Sequence, residues 1–260
     1  APSVKKCGVT VQVSEDNANI AGISSGVCIA QEGSYTYIAC CYHAIVGYPY
    51  LRVKDDDGNL YTASLVGYDY MTDLAVLKIS ATGLKIAVPT AGTPTVGQTA
   101  IIVGSPLGNT GNCVSVGFVS RESCEVVLNG ITSTTVNLDA ALNPGNSGGG
   151  LFNMAGELVG IVNAKVADRT VEGLGFAIPV DTAYDIIQEI VKHGYVQGRP
   201  ALGFEVLDVT SYQTAMRYYN AWKVMYIISD IRKYDALSKG YGANATDKGL
   251  LRELIYHILH

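Results

Sequence analysis

From residue 9 to about residue 178 the chain is written as short apolar runs, rich in Val, Ile, Thr and Tyr, each closed within a few residues by turn chemistry. Runs of four to eight such residues are too short for helical periodicity and suit a pleated strand packed on one or both faces. Strands are expected at 26–30, 35–40, 50–54, 60–66 and 75–79, with a further alternating stretch at 9–13. The clearest turn is Asp55-Asp56-Asp57-Gly58-Asn59, a polar cluster with Gly following Asp between two apolar runs. After Pro89-Thr90-Ala91-Gly92-Thr93-Pro94 a second series follows at 99–103, 113–120, 124–128, 134–138, 150–153, 157–163 and 175–178. Two series of similar length predict two barrels of the same kind, over about 9–88 and about 95–180. Glycine, 29 of 260 residues, fits a mainly β chain with many tight turns.

A helix is expected over 181–194. Asp181 opens it, Ile186, Ile187, Ile190 and Val191 recur at helical spacing, and Gly194 is placed to stop it. Gly198-Arg199-Pro200 then reads as a linker. Beyond it a strand at 201–209 and short helices at 212–220 and 248–259 predict a small α+β domain over 199–260, after a large one over 1–198.

The formal net charge of -5 supplies no basic stripe to neutralise phosphates, so nucleic acid is not an expected partner. No run of about 18 apolar residues suggests a membrane span or membrane contact within this chain. The chain opens on Ala1 without a leader-like layout, as a processed form or an excised piece would. The six cysteines, Cys7, Cys28, Cys40, Cys41, Cys113 and Cys124, lack the C-x-x-C spacing of a zinc site, so neither a metal nor another cofactor is expected. They are read either as disulfide partners, with Cys113 and Cys124 facing each other across one hairpin, or as small buried thiols.

The segment that carries chemistry is Asn143-Pro144-Gly145-Asn146-Ser147-Gly148-Gly149-Gly150. Its glycines let the backbone take positive φ and turn successive N–H groups toward one point, as an oxyanion hole requires. A Gly-rich turn with an incidental serine is the bland alternative. His43 follows an apolar strand and is the only histidine before residue 193; Asp73 stands thirty positions later at the mouth of the apolar run 74–79. A carboxylate avoids such a place unless a partner awaits it. The order His, Asp, Ser is that of the chymotrypsin arrangement. In that reading His43 takes the Ser147 proton, Asp73 orients the imidazole, and the Gly145 and Ser147 N–H groups receive the oxyanion. Asp69 is the rival acid. Gly145 to Gly149 also satisfies G-x-S-x-G, but a nucleophile elbow needs a helix directly after the serine, and a turn and a strand are expected there instead.

At these residues the sequence resembles the HtrA/Deg family of chymotrypsin-fold serine proteases. The resemblance rests on Ser24-Ser25-Gly26-Val27, His43-Ala44-Ile45-Val46, residues 72–79, Val103-Gly104-Ser105-Pro106-Leu107-Gly108, residues 139–150 and residues 173–179. It implies two six-stranded antiparallel barrels and an ATP-independent endopeptidase acting on unfolded or misfolded proteins in the bacterial cell envelope or outside the cell. It implies a specificity pocket near Leu142, and an edge strand at Leu174, Gly175 and Phe176 that pairs with substrate backbone. It further implies a PDZ-like domain from residue 199, with Leu202, Gly203 and Phe204 in its carboxylate-binding loop, and a homo-oligomer, most simply a trimer built through the N-terminal segment. For residues 9–13 an internal edge strand is the equal alternative. The family commonly has Thr-Asn-Asn where this chain has Cys40-Cys41-Tyr42, and adjacent cysteines in a strand are expected to face opposite sides. The contrasting functional reading is a chaperone-like or regulatory peptide-binding protein whose protease site is mostly latent.

Overall fold

The structure, a computed structural model, describes residues 2–106, 111–128, 131–140, 142–163 and 175–199. The chain divides into two compact units, Ala1–Gln197 and Gly198–His260. Apart from Gly198 and Arg199 the second unit lies outside the described residues, and with it the expected elements beyond residue 200 and Leu202, Gly203 and Phe204.

After a one-turn helix α1 (Pro2–Lys5), six strands close the first barrel: β1 (Gly8–Ser14), β2 (Gly22–Glu32), β3 (Tyr35–Cys41), β4 (Tyr50–Lys54), β5 (Leu60–Asp69) and β6 (Leu74–Ile79), in the order β1-β2-β3-β6-β5-β4. Six more close the second: β7 (Thr99–Gly104), β8 (Cys113–Leu128), β9 (Ile131–Asp139), β10 (Gly150–Phe152), β11 (Leu158–Val162) and β12 (Gly175–Pro179), in the order β10-β11-β12-β9-β8-β7. All ladders are antiparallel, so the fold is the expected pair of six-stranded barrels. Helix α2 (Val180–His193) ends at Gly194, whose φ of 82° supplies the left-handed cap. The helix begins one residue before Asp181, which lies inside the first turn instead of capping it.

Strand alternation explains why several runs are apolar at every position. In β6 Ala75, Leu77 and Ile79 point into the first barrel with Val9, Val11 and Ile38. Leu74 and Val76 point the other way, into a core between the barrels that also takes Val103, Phe152 and Ile161 of the second barrel and Ile186, Ile187 and Ile190 of α2. Ile102, Leu138 and Leu151 fill the second barrel. At the end of α2 the backbone lands on β5: a Cβ at Gly67 would stand 1.9 Å from the Gly194 carbonyl oxygen.

Three expectations are corrected. Residues 113–120 and 124–128 are not two strands but one, β8, bent at register shifts around Arg121. Cys113 and Cys124 therefore share a strand instead of facing each other across a hairpin, and eleven steps at about 3.3 Å place them far beyond disulfide reach. Residues 9–13 lie in β1, which is buried throughout and paired with both β2 and β4, so the strand is internal to the barrel, is not the expected edge, and offers no surface to a second copy.

Candidate active site

His43 stands in a single 3-10 turn, Tyr42–Ala44, directly after β3. Asp73 sits between β5 and β6 at a φ of 61°, a left-handed conformation that Asp tolerates better than most residues. Its carbonyl accepts from the Tyr42 N–H at 2.9 Å, which ties the acid's turn to the histidine's turn. The carboxylate is fully buried and its oxygens are met by donors. Oδ1 accepts from the His43 backbone N–H at 2.8 Å, and Oδ2 is hydrogen bonded to His43 Nδ1 and accepts from Asn163 Nδ2 at 2.9 Å. An ionised carboxylate can only accept, so Nδ1 carries the ring proton and Nε2 is left as the basic nitrogen. Asp69 instead accepts from the Thr72 hydroxyl at 2.7 Å, and it is Asp73 that holds the imidazole.

The serine loop is seated across the interface between the barrels. The Ser147 carbonyl accepts from the Ser25 N–H at 2.9 Å and the Ser24 hydroxyl at 2.7 Å, while the Ser25 hydroxyl donates to the Gly145 carbonyl at 2.6 Å and accepts from the Ser105 N–H at 2.7 Å. Gly148 N–H donates to the Val162 carbonyl at 2.8 Å, and Val162 N–H to the Gly149 carbonyl at 2.8 Å. The loop is thus held by β2 on one side and by β11 on the other. Gly145 and Gly148 take φ of 98° and 84°, and a Cβ on Gly148 would come within 3.0 Å of the Cys40 Cα and the Cys41 nitrogen. That contact sets the residue after Ser147 against the strand end that carries His43. The loop leads into β10, so no helix follows the serine and the nucleophile-elbow alternative fails.

Cys40 and Cys41 face opposite ways. Cys40 lies in the first barrel's core, where burial pushes its thiol up to about 12; Cys41 turns to the second barrel and its thiol donates to the Val162 carbonyl at 3.4 Å. The residue that motif reading missed is Asn163. It lies ninety positions from Asp73 in sequence, and only the proximity of the two barrels brings its amide to the carboxylate.

Leu142 packs on Gly175: a Cβ there would meet Leu142 Cδ1 at 2.7 Å. The edge-strand expectation is corrected at Phe176, which pairs with Asn137 of β9 and whose carbonyl already accepts from the Asn163 N–H at 2.9 Å on the β11 side; Gly175 pairs with Leu138 of β9. That carbonyl is therefore taken and not open to a substrate strand. Leu174 lies outside the described residues.

Residues 24–161 match the model of the trypsin-like peptidase domain. The chain is 39% identical over 214 residues to a serine protease Do-like HtrA of Lactococcus lactis, covering 77% of this chain and 52% of that protein. It is 40% identical over 203 residues to a serine protease Do-like HtrA of Bacillus subtilis, covering 75% and 44%. Against the serine endoprotease DegS of Haemophilus influenzae it is 39% identical over 186 residues, covering 70% and 54%. The chain therefore spans about half the length of the curated relatives it matches. The crystal structure of a serine endoprotease from Yersinia pestis is similar with a TM-score of 0.64 and 33% identity, covering 75% of this chain and 66% of that one. With a matched peptidase domain, two closed barrels and relatives of this kind, the chain belongs to the trypsin-like peptidase family, on its HtrA/Deg serine protease branch.

Proposed function

We propose that the chain is a serine endopeptidase in which Ser147 is the nucleophile, His43 the general base and Asp73 the orienting acid. The observation that carries this reading is the buried Asp73 carboxylate, which receives both the side chain and the backbone of His43. That pairing holds the Nδ1–H tautomer, so Nε2 is free to take the Ser147 proton as the hydroxyl attacks a peptide carbonyl. The imidazolium then forms beside a fixed negative charge and returns the proton to the leaving amine. The Gly145 and Ser147 N–H groups would receive the oxyanion; losing one such donor costs about 3–4 kcal/mol of transition-state stabilisation. Water then hydrolyses the acyl-enzyme by the same groups in reverse.

The substrates we infer are unfolded or misfolded proteins, cut at exposed peptide segments in the cell envelope or outside the cell. The specificity pocket would lie where Leu142 packs against Gly175, and that apolar contact would favour an aliphatic side chain before the cut; a lysine or arginine there would lose solvation without a partner charge. Residues 199–260 would form a PDZ-like peptide-binding domain, and the working assembly would be a homo-oligomer, most simply a trimer. Among the described residues no helix is long and apolar enough to cross a membrane. A fluorophosphonate probe tests the central reading: it should label Ser147, and His43→Ala should abolish the labelling. A folded protein that stays unlabelled with peptide present would overturn the assignment in favour of a peptide-binding role. Light scattering paired with activity at the same concentrations tests the assembly, and a fully active monomer would refute it.

A further inference from the structure

We propose that Cys41, His43 and Asp73 form an inhibitory site for a thiophilic divalent cation such as Zn2+, which competes with the hydrogen-bonded arrangement of His43 and Asp73. One ligand atom from each residue lies within 4.8 Å of the others, and this is the cluster of three such groups among the described residues. Thiolate, imidazole and carboxylate are the donor types that zinc takes, and three protein ligands with one open position are the pattern of an accessible zinc site. At zinc's usual bond lengths, about 2.3 Å to sulfur and about 2.0–2.2 Å to nitrogen or oxygen, the ligand atoms of a tetrahedral site stand roughly 3.3–3.7 Å apart. The His43–Asp73 pair must therefore part slightly, and the widest pair must close by about 1 Å at most.

The backbone sets this convergence. Cys41 is the last residue of β3 and pairs with Leu74, the first of β6, so Asp73 immediately precedes the residue facing the thiol. Cys40 cannot substitute, because its side chain lies in the first barrel's core. Cys41 and Asp73 are fully buried, whereas the His43 side chain keeps 22% of its surface exposed, so the ion enters past the imidazole. On binding, the thiol proton leaves to solvent and the ion displaces the ring-to-carboxylate hydrogen bond. The histidine is then no longer aligned for Ser147.

Binding rests on this placement alone; inhibition also rests on the peptidase reading, and the two are separated by test. The full chain carrying Ser147→Ala is titrated with Co2+, whose bond to a thiolate gives a near-ultraviolet charge-transfer band. One equivalent should raise the band and Zn2+ should displace it, while the Cys113→Ser/Cys124→Ser pair leaves it intact. Cys41→Ser should remove the band and weaken Zn2+ binding roughly 10- to 100-fold, no less than the loss of an outer partner of a metal ligand does. His43→Ala, at a partly exposed ring, gives the same loss should the buried serine variant not fold. A band that survives both changes, or none at all, overturns the site. With Ser147 intact, Zn2+ should suppress fluorophosphonate labelling reversibly, and labelling unchanged at saturating Zn2+ overturns the inhibitory role. Absent labelling in the presence of chelator strikes at the peptidase reading alone, since the cobalt titration decides the site in either case.

Discussion

Gly148 lies against Ser25 so closely that a Cβ on it would stand 2.2 Å from the Ser25 carbonyl oxygen. The residue after the serine of the second barrel thus occupies space on β2 of the first, at a φ that L side chains rarely adopt. Gly148→Ala should cost about 2–4 kcal/mol through backbone clash and left-handed strain. Activity should fall further than stability, because the Ser147 loop moves first. Calorimetry together with probe labelling checks this, and an alanine variant as active as the parent would show that the seat is not required.

Ser147→Ala should remove casein cleavage while leaving the melting temperature nearly unchanged, since the hydroxyl supports little packing. His43→Ala should be nearly as damaging, on the order of 10^5-fold or more, because members of such a unit do not contribute additively. Turnover near the parent level in either variant would sink the assignment.

Asn163→Ala removes one donor from the Asp73 carboxylate. Hydrogen bonds to a charged group contribute about 1.5–3 kcal/mol, so kcat should drop roughly 10- to 100-fold. KM should hold, because Asn163 acts through Asp73 and is a positioning residue. A change in KM with kcat preserved would mark it instead as part of the substrate surface.

Gly175→Ala pushes a methyl group into the space of Leu142, so cleavage should shift toward smaller residues before the cut, and Leu142→Ala should shift it toward larger ones. Mass spectrometry of the products decides. An unchanged pattern in both variants would place the specificity pocket elsewhere.

Burial raises the thiols of Cys28 and Cys40 from 9.0 to about 12. Above pH 9 the unfolded chain gives up these protons while the folded chain keeps them, so stability present below pH 9 is lost as pH rises toward 12. The loss should be on the order of 1 kcal/mol per pH unit for each thiol. Denaturant titrations at pH 8 and pH 10.5 should separate the parent from a Cys28→Ala/Cys40→Ala variant, and parallel declines would refute the cause. At pH 8 a thiol reagent should modify the half-buried Cys113 and Cys124 well before Cys28 or Cys40.

The parts of this site legible in the sequence are those whose signal is local. His43 after an apolar strand, Asp73 before one and Ser147 among glycines each break the pattern around them, and their order in the chain adds meaning. Asn163 gives no such sign, because an asparagine at a strand end is ordinary and its partner comes from the other barrel. The break read at Arg121-Glu122-Ser123 is a polar interruption that β8 absorbs as bulges, and periodicity alone cannot separate a bulge from a turn. The edge-strand reading failed at Phe176 for a related reason: which side of a strand stays open depends on barrel closure, and that is a long-range property.

The Val162 carbonyl receives both the Gly148 N–H and the Cys41 thiol, and the next residue reaches Asp73. One peptide at the end of β11 therefore clamps the Ser147 loop, the strand that leads to His43, and Asp73 together. If Ser147 is the proposed nucleophile, turnover reports alignment at a joint: a slip of about 1 Å between two intact barrels would cost roughly 100-fold in rate while circular dichroism registered nothing. Substitutions deep between the barrels, at Phe152 or Ile187, would then behave as remote attenuators of turnover, without touching any reacting atom.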